Sequence, residues 1–184
     1  MSGGRSSKTR IWKISSHKAV QPLTSVSTGS DIFIDANIFV YGLNGVSTQC
    51  LRLLERCSRE EVTGSLFEIV NEATHVFMLG EARSKGLIAP PGSANQLRQK
   101  FPVIPTLIDY WRETERILAL NLLLFPTSEA IVRSAQSERQ RSSLLTNDSM
   151  IVSCMRDYGI DCLATADHDF DRAIGITVFG PDDL

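Results

Sequence analysis

Short apolar runs alternate with amphipathic helical stretches along this chain, and two of those runs lead directly into aspartate. That alternation is the tightest constraint on its fold. Ile32-Phe33-Ile34 is an apolar strand that stops at Asp35, and Ile160–Thr165 is a strand followed one residue later by Asp167. Leu120–Phe125 is a continuous apolar run ended by Pro126, which fits a buried parallel strand, and Thr177–Phe179 is a further short strand. Between these runs the spacing predicts a helix over Gln49–Cys57, one through about Glu81 opened by the capping box Ser65-Leu66-Phe67-Glu68, and one over Thr106–Leu118. Ser128 caps a helix to about Gln140, and Asn147 caps another over Asp148–Tyr158, which Gly159 stops. Arg83–Pro105 is rich in proline and glycine and reads as mostly loop, with a short helix from Ser93 to Lys100.

Strands alternating with helices imply right-handed crossovers and a mostly parallel sheet, hence an α/β fold. In such sheets ligands bind beyond the carboxyl ends of the strands. Asp35 and Asp167 therefore belong on the same edge.

A length of 184 residues suits one domain. Residues 1–30 carry five basic residues and no acid, for +5, whereas the remainder carries −7. The segment is rich in Ser and Thr and reads as a basic, disordered tail, with a short ordered piece at Ile11–Ile14, ahead of a folded domain over 31–184. Such a tail also suits a nucleic-acid contact. No apolar stretch approaches the ~20 residues that span a bilayer. Cys50, Cys57, Cys154 and Cys162 show no metal-binding spacing and read as reduced thiols in a reducing compartment, so a cytoplasmic location is expected.

Four acids stand out by placement. Asp35 and Asp167 end strands, Glu72 lies inside an apolar helix, and Asp148 sits in a first helical turn. Carboxylates drawn from strand ends and helix termini converge readily on one pocket, where unpaired they repel and raise each other's pKa. A hard divalent cation resolves that repulsion, because Mg²⁺ or Mn²⁺ takes oxygen ligands and a few carboxylates plus water suffice. Water on such an ion is a stronger nucleophile, and the ion neutralises charge on a phosphoryl oxygen. The cluster therefore suits phosphodiester hydrolysis.

These residues resemble a known family. Asp35-Ala36-Asn37-Ile38-Phe39-Val40, after Ile32-Phe33-Ile34, resembles the opening strand of PIN-domain nucleases. Asn71-Glu72-Ala73-Thr74-His75 resembles the helix of the second acid, and Asn147-Asp148-Ser149-Met150-Ile151-Val152 that of the third. Leu163-Ala164-Thr165-Ala166-Asp167-His168-Asp169-Phe170 is similar to the closing strand and loop. The resemblance spans about residues 31–180. It implies a three-layer α/β/α sandwich and an endoribonuclease that uses Mg²⁺ or Mn²⁺. It makes Asp35, Glu72, Asp148 and Asp167 the catalytic and metal-binding quartet, with Asn37 and Thr165 as polar supports and Asp169 and Asp171 as outer carboxylates. Small prokaryotic members are often VapC-type toxins, which implies an antitoxin partner and a homodimer, with the helices Thr106–Leu118 and Ser128–Gln140 as an interface. The basic tail and the proline-rich segment depart from that toxin pattern.

An acidic pocket repels RNA, so phosphate contacts must come from its rim. Arg83, Lys85, Arg98 and Lys100 are the leading candidates, with Arg112, Arg116 and Arg141 further options. Two other readings stay open: a PIN-like metal- or RNA-binding module without cleavage, and a phosphatase with Asp35 as nucleophile, although Asn37 stands where that chemistry wants a second aspartate. Asp167-His168-Asp169-Phe170-Asp171 imitates a calcium loop but has Arg172 where glycine is needed. No phosphate-binding loop suggests NAD or ATP, and no triad setting supports acyl transfer.

Overall fold

A computed structural model describes residues 20–90 and 92–184. Among the described residues, six strands form one parallel sheet in the order β1-β6-β5-β2-β3-β4: β1 is Gln21–Pro22, β2 Asp31–Ile34, β3 Thr63–Phe67, β4 Leu123–Phe125, β5 Cys162–Ala164 and β6 Thr177–Gly180. The helices are α1 Ala36–Leu43, α2 Thr48–Ser58, α3 Ile69–Ser84, α4 Ala94–Gln99, α5 Asp109–Leu118, α6 Glu129–Ser142 and α7 Thr146–Asp157. Among the described residues no helix is long and apolar enough to cross a membrane.

The winding explains the layers. From β2 to β3 to β4 the chain steps one way across the sheet, and from β4 to β5 to β6 it steps back the other way. Right-handed crossovers then put α1 to α5 on one face and α6 and α7 on the other. The packing agrees: α1 meets α2 and α3, α3 meets α5, and α6 pairs with α7. The result is the α/β/α sandwich expected. β2 lies in the middle with both faces covered, so Ile32, Phe33 and Ile34 are all fully buried, and their run shows no polar alternation.

Several elements differ from the sequence reading. Ordered structure precedes Asp31: β1 at Gln21–Pro22 pairs with β6, and Leu23 and Val26 are buried against the core. Two residues with a proline on an edge strand leave no periodicity to detect. The proposed ordered piece at Ile11–Ile14 lies outside the described residues. Ser65 to Phe67 do not open a helix. They belong to β3, where hydrogen bonding to β2 and β4 on both sides overrides the local capping pattern. Gly64 makes that insertion possible, because a Cβ there would strike a Leu122 methyl and come within 2.9 Å of Ile34 Cδ1. β4 is parallel but forms the sheet edge, with Leu123 and Leu124 half-exposed rather than buried. The helix α7 starts at Thr146, which puts Asn147 and Asp148 inside its first turn.

The proline-rich segment is more ordered than a loop. Ser93 caps α4, residues 101–106 form a 3₁₀ helix, and Ile88, Leu97 and Leu107 build a small second core with Ala82 of α3. Glu81 ties this region down. α5 has no side-chain cap of its own, and the Glu81 carboxylate accepts from the amides of Ile108 (2.9 Å) and Tyr110 (2.8 Å) while pairing with Lys85. At the other end of the chain Asp183 caps α2, accepting from Ser47 Oγ and the amides of Thr48 and Gln49, which hold its carboxyl down at about 2. Burial pushes the Cys57 thiol up to about 11 and that of Cys154 to about 12, consistent with inert core thiols.

Candidate active site

The sheet reverses its winding between β2 and β5, which are hydrogen-bonded neighbours. The crevice beyond their carboxyl ends is where an open α/β sheet presents a ligand site. A cleft of about 350 Å³ opens there, and Asp35, Glu72, Asp148 and Asp167 all line it. Each acid comes from a different element. Asp35 follows β2 as the N-cap of α1, Glu72 is in the first turn of α3, Asp148 is in the first turn of α7, and Asp167 follows β5 as the N-cap of a 3₁₀ turn.

Asp35 is held most firmly and is only 7% exposed. Its Oδ1 accepts from the Ala36 amide at 2.7 Å, and its Oδ2 accepts from Thr165 Oγ1 at 2.6 Å and Asn37 Nδ2 at 2.5 Å. Thr165 is fully buried and works in both directions. Its hydroxyl proton goes to Asp35, while its oxygen accepts from the Asp167 amide (2.9 Å) and from Asn37 Nδ2 (3.1 Å). Asn37 closes the loop by accepting from the Ala166 amide at 3.0 Å. The two sequence-predicted supports thus bind the ends of β2 and β5 together. Thr165→Val keeps the shape but leaves Asp35 short of a donor and the Asp167 amide without its acceptor. Urea denaturation at neutral pH is expected to show a loss of about 1–3 kcal/mol. An unchanged midpoint would mean that the hydroxyl adds nothing.

The electrostatics are those of an acid cluster that its nearest cation, Arg172, only partly offsets. Burial is the main cause that pushes Asp35 up to about 6. The fields of Glu72 and Asp167 add to it, and the hydrogen bonds from Thr165 and Ala36 offset only part. Asp148 is also raised, by burial first and then by Asp167 and Asp169, with Arg172 acting against them. A cation among these oxygens would reverse both shifts. The donor set is oxygen only, which selects a hard ion. Among the described residues, however, no three Asp, Glu, His or Cys side chains gather tightly enough to make a ready-built metal cage. Mg²⁺ fits such a loose arrangement, because it keeps several waters and takes one or two carboxylates directly.

The outer candidates fall elsewhere. The Asp169 amide donates to Asp167 Oδ1 at 2.8 Å, but its carboxylate pairs with Arg172 at 2.9 Å. Asp171 has one oxygen 3.4 Å from His168 Nδ1 and the other buried with no partner among the described residues. The four basic candidates do not gather at the acids. Lys85 is engaged by Glu81 and Asp109, Lys100 Nζ donates to Leu87 O, and Arg98 donates to Asn95 Oδ1. Arg83 donates to Leu79 O at 3.3 Å and also lines a second cavity that shares Val40 and Val76 with the acid cleft. Asn147 also lines the cleft. Its place directly before Asp148 was the available signal, but in the sequence it reads as a cap.

A family model for the PIN domain matches residues 32–175. Among solved structures, the chain is similar to VapBC2 from Rickettsia felis bound to a DNA fragment from their promoter, with 16% identity and a TM-score of 0.55 over 83% of this chain and 99% of that one. It is also similar to a toxin-antitoxin complex from Klebsiella pneumoniae, with 18% identity and a TM-score of 0.50 over 79% of this chain and 95% of that one. At these identities the likeness is one of fold. No curated protein matches the sequence.

Proposed function

Because this chain belongs to the PIN domain family, we propose that it is a Mg²⁺- or Mn²⁺-dependent endoribonuclease, acting in the cytoplasm as the toxin of a toxin-antitoxin pair. The observation that carries this reading is the convergence of four carboxylates, from four separate elements, on the cleft at the winding reversal. Asp35, Asp148 and Asp167 would hold one or two ions, which would supply a water of lowered pKa and neutralise charge on the phosphoryl oxygen. Glu72, exposed at the mouth of the cleft, accepts a proton from the attacking water and orients it. Thr165 and Asn37 fix Asp35 so that its charge needs no reorganisation during the reaction. As the water oxygen bonds to phosphorus, the P–O3′ bond breaks and the leaving oxygen takes up a proton from solvent water, while Glu72 returns its own proton to solvent. The products carry a 5′-phosphate and a 3′-hydroxyl.

The test is cleavage of a fluorescent single-stranded RNA. Cutting is expected with Mg²⁺ or Mn²⁺, none in EDTA, and the new ends should be 5′-phosphates. Cyclic phosphate ends, or undiminished cutting in EDTA, would overturn the mechanism. RNA phosphates meet the rim of the cleft, with Arg83 on the connected cavity as the best-placed of the basic candidates and the basic residues before Val20 as a further contact. The likeness to the Rickettsia and Klebsiella assemblies supports a protein partner of the antitoxin kind. A homodimer through α5 belongs to the same reading, supported by the exposed Trp111 and Leu118 on that helix and Ile108 just before it, and light scattering of the purified chain is expected to give twice the monomer mass. The second reading is a metal- or RNA-binding module that does not cut. Metal binding by calorimetry without any RNA cleavage would select it.

A further inference from the structure

The turn that follows Asp167 carries a cation of its own. Residues His168–Arg172 form a 3₁₀ helix capped by the Asp167 carboxylate. In that geometry side chains three apart eclipse each other, so Asp169 and Arg172 meet, with Arg172 Nη2 at 2.9 Å from Asp169 Oδ1. Asp169 is tied in turn to the quartet, because its amide donates to Asp167 Oδ1 at 2.8 Å. Arg172 is close enough for its charge to lower the Asp148 carboxyl, against burial and the fields of Asp167 and Asp169. Lys85, Arg98 and Lys100 are engaged elsewhere, and no cation is among the causes that act on Asp35. Arg172 is not among the residues that line the cleft, so it stands beside the acids rather than among them. Its side chain is 41% exposed and that of Asp169 is 45% exposed, which leaves the pair open to water and weak.

We propose that Arg172 is a substrate-binding residue of the cleft, which leaves Asp169 to take the RNA phosphate next to the one being hydrolysed. Four carboxylates repel a nucleic acid strand, so a strand that enters needs fixed positive charge beside them. Arg172 supplies it at the mouth of the acidic site. A guanidinium matches a phosphate with two parallel charge-assisted hydrogen bonds, whereas its exposed pair with one carboxylate is easily given up. Asp169 engages a single nitrogen, Nη2, and the fork keeps further donors for a second partner. The place of Arg172 outside the cleft lining gives it the neighbouring phosphate, while the reacting one faces the acids. Asp169 acts as the holder. It keeps the guanidinium at the rim while no strand is bound and competes for it when one arrives. The proposal rests on the nuclease reading for which phosphate reacts, and the contact with the strand stands without it.

Two measurements on the full chain test this. In the first, a fluorescent single-stranded RNA is titrated in Mg²⁺ at several salt concentrations with Asp148→Asn, so that the strand stays whole, alone and combined with Arg172→Gln or Arg172→Lys. Arg172→Gln is expected to weaken binding about tenfold or more and to flatten the slope of log affinity against log salt by about 0.7. Arg172→Lys keeps the charge and is expected to keep the slope. Adding Asp169→Asn is expected to tighten binding at least about threefold more with Arg172 present than with Arg172→Gln. An unchanged slope in Arg172→Gln, the same flattening in Arg172→Lys, equal tightening by Asp169→Asn in both backgrounds, or no RNA binding by any of these proteins would overturn the contact. In the second, RNA cleavage by the native chain and by Arg172→Gln is compared. KM is expected to rise about tenfold with kcat held within about threefold, as for a contact made equally before and in the transition state. A fall in kcat at unchanged KM would place Arg172 on the reacting phosphate and overturn the assignment. RNA that binds with the Arg172-dependent slope but is not cut by the native chain removes the nuclease and leaves the phosphate contact.

Discussion

Asp148→Asn is expected to fold, to melt no lower than the native chain, and to cleave RNA at least about a thousandfold more slowly, a barrier increase of about 4 kcal/mol. The amide matches the carboxylate in shape, so the first turn of α7 loses no packing. What it loses is charge, in a place where charge is unwelcome without a cation. Burial and the nearby Asp167 and Asp169 already raise the Asp148 carboxyl, so the native protein pays electrostatically for keeping it ionised. Removing such a charge normally raises stability. Cleavage is measured on the same RNA and at the same metal concentration for both proteins, with melting by circular dichroism as the fold control. Activity within tenfold of native would take Asp148 out of the site. A much lower melting temperature would make it a structural residue instead.

Glu81→Ala is expected to cause the largest loss of stability among single substitutions outside the main core, about 3 kcal/mol or more by urea denaturation at pH 7. Glu81 is buried, and truncation leaves the amides of Ile108 and Tyr110 unpaired and Lys85 without its nearest partner. The same residue sets an acid limit. Burial alone would raise its carboxyl, but Lys85 and the amides of Tyr110, Ile108 and Asp109 together outweigh that and hold it down at about 2 instead of 4.5. Between those values the unfolded chain binds the proton and the folded chain does not. The contribution is therefore complete above about pH 4.5 and is lost as the pH falls towards 2, and the difference amounts to about 3 kcal/mol. Stability followed from pH 5 to pH 2.5 should fall steeply for the native chain and more gently for Glu81→Gln. Parallel curves would remove the carboxylate as the cause.

Both ends of the site's backbone were legible because a parallel strand buried on two faces has a plain signature. Ile32-Phe33-Ile34 is unbroken and stops at a charge, and Leu163-Ala164 does the same three residues before Asp167–Asp169. β3 was not legible, because Thr63-Gly64-Ser65-Leu66-Phe67 is mixed in polarity and contains a helix-opening pattern. Its strand character comes from two neighbours that lie about 30 and 60 residues away, at Asp31–Phe33 and Leu123–Phe125. α1 was equally hidden, since Ala36–Leu43 is short and largely apolar and shows no clear period. Charge carried no address. Lys85 reads as an RNA contact in isolation, but Glu81 one turn back and Asp109 on another helix engage it.

The pairing of β2 with β5 has a consequence in time as well as in space. Asp35 and Asn37 reach Thr165 across 130 and 128 residues. During synthesis the ribosome makes β2, α1 and α3 first, so Asp35 and Glu72 emerge long before the other two acids. Until Cys162–Ala164 leaves the exit tunnel, β2 has an open edge and Asp35 lacks its threonine donor. No partial product that lacks β5 and Asp167 can assemble the four-acid cleft. Whatever chemistry the cleft performs is thus withheld until β5 has joined β2. The order of its strands is a delay timer that needs no further part.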